Sequence, residues 1–498
     1  MLDLVIKGAT VIDGSGAAGA VRDVGVQGDR IAEVSPDIDA DARETLDATG
    51  LVLSPGFIDV HSHDDFHVLI EPEVRHNILQ GITTVIVGNC GFGAAASGPG
   101  KLQMKAINEP SADLPDWDGY AGYLEEVAKT APALNVAVLI GHHTARRQAM
   151  GGVENRPPSE TEMASMLTSV EEGMEAGAVG LSTGLVYEPG RYASTEEVAD
   201  LAKVVGKYGG LYVSHMRDEG AGLLDSVRET LHIGEVSGCG VEISHHKTVG
   251  SDNWGQVTHS LAMIEEAVAK GHDATADQYP YTARSTMLFA LVQNGTFGAG
   301  DGGAMGRSEP SEVLLCSVPG RAEYEGRTLQ SFVEEYDLPG EKAANRLLRD
   351  VSPDILVAAF GMDEGDVRMV MAHSSTMIGT DGLDRGSKPH PRAWGTYPRV
   401  LGKYVREEGV ISLENAIYKM TGMPAGKFGI AGRGLVKEGF FADLALFDPE
   451  TVIDGASYED PRVGPTGIPH VIVNGQFAVR DGVHEGSRLG RALRRAEA

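Results

Sequence analysis

Between residues 55 and 429, short runs rich in Val and Ile recur eight times with longer amphipathic stretches between them. The strand-like runs include "GITTVIVGNCG", "NVAVLIGHHT", "GLYVSHMRDE" and "GVEISHHK". The helix-like stretches include "PSETEMASMLTSVEEGMEAG", "STEEVADLAKVVGKYG", "GLLDSVRETLHIGEVSG" and "WGQVTHSLAMIEEAVAKG". Runs that are apolar throughout, rather than at alternate positions, belong to strands covered on both faces, as in a parallel sheet between helices. Eight such units predict an α/β fold, a (β/α)8 barrel. The first strand falls in "GLVLSPGFIDVHSH", and the last is open between "VRMVMAH" and "TMIGTD". Residues 287–341 break the alternation, first Gly-rich and then acidic, and are expected to form an insertion after strand seven. Such an insertion is either a lid or a surface elaboration.

The two ends of the chain follow a different rule. "LDLVIKGATVID" and "VRDVGVQGDRIAEVS" alternate apolar and polar residues with period two, and "ADLALFDPETVID" and "PHVIVNGQFAVRDG" repeat that style near the C-terminus. Both ends are therefore expected to form antiparallel strands of one small composite β-sandwich, residues 1–54 and 430–485, flanking a barrel of residues 55–429. The basic tail "GSRLGRALRRAEA" reads as a solvated terminus.

Composition narrows the class. The chain carries 42 basic and 71 acidic residues, a formal charge of −29, which makes nucleic acid and anionic membranes poor partners. Its three cysteines, Cys90, Cys239 and Cys316, are too few and too widely spaced for a disulfide framework. No apolar run approaches the ~18–20 residues of a membrane helix, and the N-terminus lacks the features of a signal peptide. A cytoplasmic protein acting on a small molecule is the expectation. Oligomeric state stays open.

A barrel places its chemistry where the strands end. The first strand ends on His61-Ser62-His63, the second on Asn89-Cys90-Gly91, the fifth on His215, the sixth on His245 and His246, the last on Asp381. Residues two apart in a strand project to one side, so His61 and His63 can face one ion together. Imidazole, thiolate and carboxylate are the usual ligands of zinc, three of them with an open position when the site is catalytic. Taken singly, each residue has a plainer reading. Cys90 alone is a buried thiol and Asp381 a turn aspartate. His142, His143 and His373 are expected to be hydrogen-bonded core or rim groups. His245 and His246 face opposite sides, and the sequence leaves open which points inward.

The ordered set of motifs resembles the amidohydrolase superfamily, and over residues 3–480 its D-aminoacylase (N-acyl-D-amino-acid deacylase) branch. The matching pieces are "GFIDVHSHDD", "GNCG", "STGLVY", "SHMRDE", "SHHK", "YPYTARST", "GTDG" and "HPRAWGTYPRVLG". Cys90 is the sharpest of these, since most amidohydrolases carry lysine or glutamate at that place. The resemblance implies a distorted (β/α)8 TIM barrel and one tightly held Zn2+ on Cys90, His215 and His245. It also implies a second, weaker or partly occupied position at His61 and His63, shared by Cys90 and Asp381. Asp381 matches the catalytic acid/base. Lys247 and Tyr187 match substrate-holding residues, with their separate roles open. Ser285 and Arg392 lie where relatives contact the substrate's carboxylate end, and Tyr281 in "YPYTARST" is expected among the substrate-binding residues. Arg284 is a departure, because a small residue is expected there, and it bears on side-chain preference.

The implied reaction is zinc-dependent hydrolysis of an N-acyl-D-amino acid to a carboxylate and a free D-amino acid. Two rivals share the same site: a deacylase restricted to acidic D-amino acids, and a dipeptidase for peptides ending in a D-residue. A hydantoinase-type cyclic amidase is disfavoured by Cys90, because those enzymes typically bridge their metals with lysine. A non-catalytic scaffold would be expected to have lost metal ligands, and here the full set is present.

Overall fold

The computed structural model describes residues 1–498 except 95–100, 102–103, 106, 108–113, 299, 301 and 496–498. Five strands come first: β1 (Leu2–Val11), β2 (Ala20–Gln27), β3 (Arg30–Ser35), β4 (Ala42–Asp47) and β5 (Val52–Pro55). Seven parallel strands follow: β6 (Phe57–Asp59), β7 (Ile82–Val87), β8 (Asn135–Gly141), β9 (Gly180–Gly184), β10 (Leu211–His215), β11 (Gly240–Ile243) and β12 (Ala274–Gln278). An excursion then adds β13 (Ala283–Met287), β14 (Val313–Ser317) and β15 (Leu356–Phe360). The chain returns with β16 (Thr376–Ile378) and ends with β17 (Leu444–Phe447), β18 (His470–Val473), β19 (Gln476–Arg480) and β20 (Val483–His484).

Strands β6 to β12 lie side by side in chain order, and β16 pairs with β12 in parallel, giving eight strands in one sheet. The ends of β6 and β16 meet through a parallel bridge between Ser62 and Gly382, with Asp381 N donating to His61 O at 2.7 Å and His63 N to Gly382 O at 3.1 Å. The sheet thus curls into a nearly closed barrel, joined where the first and last strands end. Every residue of β7 and β8 is buried, as their unbroken apolar runs require. All four quoted amphipathic stretches form helices, over Glu160–Glu175, Thr195–Lys207, Leu223–Ser237 and Val257–Ala269. The first carries a full capping box, Ser159 with Glu162, and the second an N-cap at Ser194.

Strands β1–β5 and β17–β20 share one nine-stranded sheet in which β5 pairs antiparallel with β17, so both ends of the chain meet there. "GLVLSPGFID" therefore serves two sheets, β5 in this one and β6 in the barrel, with Gly56 as the pivot. A Cβ at Gly56 would lie 2.2 Å from the Thr83 side chain, so only glycine fits that crossing.

Three details depart from the sequence reading. "VRMVMAH" is a helix, Glu364–Ala372, N-capped by Asp363, so β16 comes from "TMI". The excursion reaches beyond 287–341 at both ends, because β15 is the central strand of its antiparallel sheet and β13 the edge. It has an apolar core of its own, including Leu291, Leu315, Phe332, Leu347 and Val357. The described part of the basic tail is not solvated coil. Gly490 N donates to Pro132 O, Val136 N to Arg491 O and Leu493 N to Val136 O, which ties the tail to the start of β8. Residues 496–498 of that tail lie outside the described residues, as do 299 and 301 of the Gly-rich stretch. No helix among the described residues is long and apolar enough to cross a membrane.

Candidate active site and metal centre

Side chains from five strand ends converge at the rim where β6 and β16 meet. Cys90 Sγ lies 3.4 Å from His61 Nε2, 3.5 Å from His215 Nδ1 and 3.7 Å from His245 Nε2. His245 Nε2 and His215 Nδ1 are 2.8 Å apart. His63 Nε2 is 3.2 Å and His61 Nε2 3.6 Å from Asp381 Oδ1, while Asp381 Oδ2 pairs with Arg392 Nη1 at 2.8 Å. All six predicted ligands are thus brought together. His246 points the other way, to Ser260 Oγ at 2.8 Å, so His245 is the inward member of "SHHK". His142, His143 and His373 have ordinary partners: Glu197, the Gly184 carbonyl and Glu265.

Three of the converging residues sit in left-handed backbone: Cys90 (φ 54°), His245 (φ 36°) and Asp381 (φ 47°). Such a conformation costs a residue with a Cβ of order 1–3 kcal/mol and persists only where surroundings over-determine it. Here each is pinned by its neighbours. Gly91 N donates to Ser182 Oγ at 3.0 Å, His245 N to Asp277 Oδ1 at 2.9 Å, and Asp381 N to the His61 carbonyl. The tight turn lifts each side chain off its strand end and into the common centre.

The electrostatics match a centre built for a cation. Burial disfavours the Cys90 thiolate, yet the His61 charge and hydrogen bonds from His215, His245 and His61 outweigh it and hold the thiol well below its usual range. Burial likewise opposes ionisation of Asp381, but Arg392 and His61 hold its carboxyl well below the carboxylate range. Burial works against protonated His63, but Asp381 and Cys90 push it up to about 10. Anionic sulfur and oxygen beside imidazoles that draw positive charge form the donor set a zinc ion takes up. Three overlapping donor groups occur there: His61, Cys90, His245; His61, His63, Asp381; and His215, Glu219, His245.

Two supporting carboxylates escaped the sequence reading. Asp277, at the end of β12, accepts from both His61 Nδ1 (3.1 Å) and the His245 amide. Glu219 takes Lys247 Nζ at 2.6 Å and lies 3.0 Å from His245 Nδ1. Glu219 stands in "SHMRDE" and Asp277 in "GHDATADQ", so only the partner geometry was missing. Carboxylates behind ligating imidazoles set tautomer and ring orientation.

A cavity of about 450 Å³ opens onto this centre. His63, Cys90, Tyr187, His215, His245, Lys247, Arg284, Ser285, Asp381 and Arg392 line it, together with apolar Phe92, Ile107, Met287, Phe289, Leu356 and Leu383. Tyr187 packs edge-on against His215, with ring centroids 4.8 Å apart, and its hydroxyl meets Thr286 Oγ1 at 3.1 Å. Tyr281 is a correction. It does not line the cavity; its ring packs on His390 and its hydroxyl lies 3.5 Å from the Pro391 carbonyl. The tyrosine of "YPY" that lines the cavity is Tyr279, under the Arg392 guanidinium at 4.6 Å. The chain leaves the barrel at Pro280, so the two tyrosines of "YPY" face different surroundings.

The profile of the Amidohydrolase family matches residues 44–291 and 367–479. The chain is 40% identical to a D-aminoacylase of Alcaligenes xylosoxydans xylosoxydans, covering 100% of this chain and 98% of that one. It is 39% identical to an N-acyl-D-glutamate deacylase of the same organism, over 99% of this chain and 97% of the relative. Among solved structures, the N-acyl-D-glutamate deacylase of Bordetella bronchiseptica, complexed with zinc and a phosphonate mimic of the tetrahedral intermediate, superimposes with a TM-score of 0.90. That match has 36% identity and covers 99% of each chain. The chain belongs to the amidohydrolase family, in its D-aminoacylase branch.

Proposed function

We propose that this protein hydrolyses the amide bond of N-acyl-D-amino acids, releasing a carboxylate and a free D-amino acid. The observation that carries the reading is the convergence of Cys90, His215 and His245 beside Asp381 at the floor of the cavity, in a chain that matches D-aminoacylases end to end. An amide resists hydrolysis because its carbonyl is weakly electrophilic and its nitrogen leaves poorly. A zinc ion held by Cys90, His215 and His245, when bound, lowers the pKa of water from 15.7 to about 7 and polarises the carbonyl. His61 and His63 offer a second position, with Cys90 and Asp381 within reach of it.

The protein's own groups do the proton work. Asp381 Oδ1 faces His61 and His63, while Oδ2 stays on Arg392. Oδ1 accepts the proton of the attacking water and later returns it to the departing amine nitrogen, as general base and then acid. Arg392 is shared between Asp381 and the substrate's α-carboxylate, so substrate binding draws positive charge away from Asp381 and raises its basicity. Lys247, Tyr187 and Ser285 supply donors around the carboxylate and the developing oxyanion. The apolar wall of Ile107, Met287, Phe289 and Leu383 excludes water and takes up apolar parts of the substrate. The three cysteines are free and buried, consistent with a reducing compartment such as the cytoplasm.

The test is a screen of the zinc-loaded protein on N-acetyl-D-amino acids, L-Xaa-D-Xaa dipeptides and their L-counterparts. The reading requires at least one N-acetyl-D-amino acid to exceed its L-enantiomer in kcat/KM and to exceed the dipeptides. Turnover of dipeptides alone, or equal turnover of both enantiomers, contradicts it.

A further inference from the structure

Among the described residues, two of the buried basic side chains that line the cavity are held by carboxylates of the protein, and a third is not. Lys247 is paired with Glu219 at 2.6 Å and Arg392 with Asp381 at 2.8 Å. Arg284, on the edge strand β13, is only 3% exposed, yet its one hydrogen bond among the described residues is a long one, Nη2 to Ser308 Oγ at 3.3 Å. Its Nε and Nη1 have no hydrogen-bond partner among the described residues, and no carboxylate there lies in ion-pair contact with it. Burial pulls its pKa below the ordinary arginine value. A buried guanidinium without a counter-charge is unfavourable, and a cavity tolerates one when the ligand supplies the missing acceptor. The planar guanidinium matches a carboxylate or a phosphate bidentately, and a carboxylate is the one of these that an amino-acid side chain carries.

Position says which part of the substrate meets it. Arg284 adjoins Ser285, and both share the cavity wall with Arg392, the groups placed above at the α-carboxylate. Arg284 therefore lies on the amino-acid side of the scissile bond, away from the acyl group. Resting on the deacylase reading above, we propose that Arg284 binds a second carboxylate on the substrate, the side-chain carboxylate of an acidic D-amino acid, and so makes the enzyme selective for N-acyl-D-aspartate or N-acyl-D-glutamate. Met287 and Leu356, further along the same strand pair, line the cavity and offer apolar surface for the side-chain methylenes. An apolar D-side chain would fill the same space and leave the Arg284 donors sealed and unpaired. Sites built to hydrogen-bond a substrate group discriminate strongly against analogues that lack it.

The experiment compares kcat/KM of zinc-loaded wild type and Arg284→Met on N-acetyl-D-glutamate, N-acetyl-D-aspartate, N-acetyl-D-methionine and N-succinyl-D-alanine. Wild type is expected to favour one acidic substrate over the methionine derivative. In R284M that ratio should fall roughly 10- to 150-fold, the equivalent of one charge-assisted hydrogen bond, chiefly through KM. A wild-type preference for the methionine derivative, or an unchanged ratio in R284M, overturns the proposal. Preference for N-succinyl-D-alanine, lost in R284M, overturns it too, because the second carboxylate would then be on the acyl side. Failure to cleave any of the four refutes the deacylase reading instead. Should R284M not fold, product inhibition of wild type decides: the acidic D-amino acid must inhibit more tightly than D-methionine, and the reverse order is fatal.

Discussion

At the scale of single residues, holding a metal and moving a proton fall to different side chains. Cys90 brings the one sulfur to the centre, and its thiol is held ionised by the surrounding imidazoles. Cys90→Ala removes an anionic donor and leaves the imidazoles facing one another, so zinc retained after dialysis should fall to a small fraction of the wild-type content. Asp381→Asn keeps size and left-handed backbone, since asparagine tolerates that region well. It should retain zinc and lose about 10²–10⁴-fold in kcat, the range for a positioned acid/base. Near-normal kcat in that variant would remove Asp381 from the proton-transfer role. Much of this cast could be read from residue types alone, because metal-ligand chemistry is local. His61, His63, Cys90, His215, His245 and Asp381 announce themselves wherever strands end. Tyr281 did not resolve in the same way. The two tyrosines of "YPY" are chemically alike, and only the departure of the chain at Pro280 puts Tyr279 in the cavity and Tyr281 behind it.

At the scale of elements, the strand ends matter more than the strands. Cys90, His245 and Asp381 each leave their strand through a left-handed residue, a feature invisible in composition because none of them is glycine. Ser182 shows how such a turn is held. Its hydroxyl donates to the Gly88 carbonyl and accepts from Gly91 N, bracketing Cys90 from β9, the strand beyond β8. Ser182→Ala leaves both buried groups unpaired, which costs about 1–3 kcal/mol apiece at most. It should weaken zinc retention although Ser182 touches no metal-ligating atom. Zinc affinity equal to wild type in a folded S182A protein would mean the turn holds itself. The excursion after β12 was harder to read for a different reason. Its central strand, β15, lies about seventy residues from its partner β13 in the chain, and pairing over that separation has no local signature.

Across the whole molecule, one buried lysine ties a helix to the last barrel strand and makes folding sensitive to pH. Lys419 is fully buried and donates to the carbonyls of His373 and Thr376, at the start of β16. Burial brings its pKa down from 10.5 to about 8. Between pH 8 and 10.5 the unfolded chain therefore binds more protons than the folded one, and stability rises with pH across that window. Below pH 8 the cost of the buried charge is present in full. The guanidinium midpoint of wild type, less that of Lys419→Met, should increase from pH 8 to 10, by up to about 1.4 kcal/mol per pH unit when converted to free energy. Parallel curves would place the titration outside this window.

The barrel, the composite sheet and the cavity together amount to a holder for one reaction, and zinc add-back tests it most directly. Protein stripped of metal is mixed with increasing zinc, and release of free D-amino acid from an N-acetyl-D-amino acid is followed. The account predicts background activity without zinc and a rise to a maximum near one zinc per chain, the occupancy of the Cys90, His215 and His245 position. Full activity in the stripped protein, or no release at any zinc loading, would contradict it.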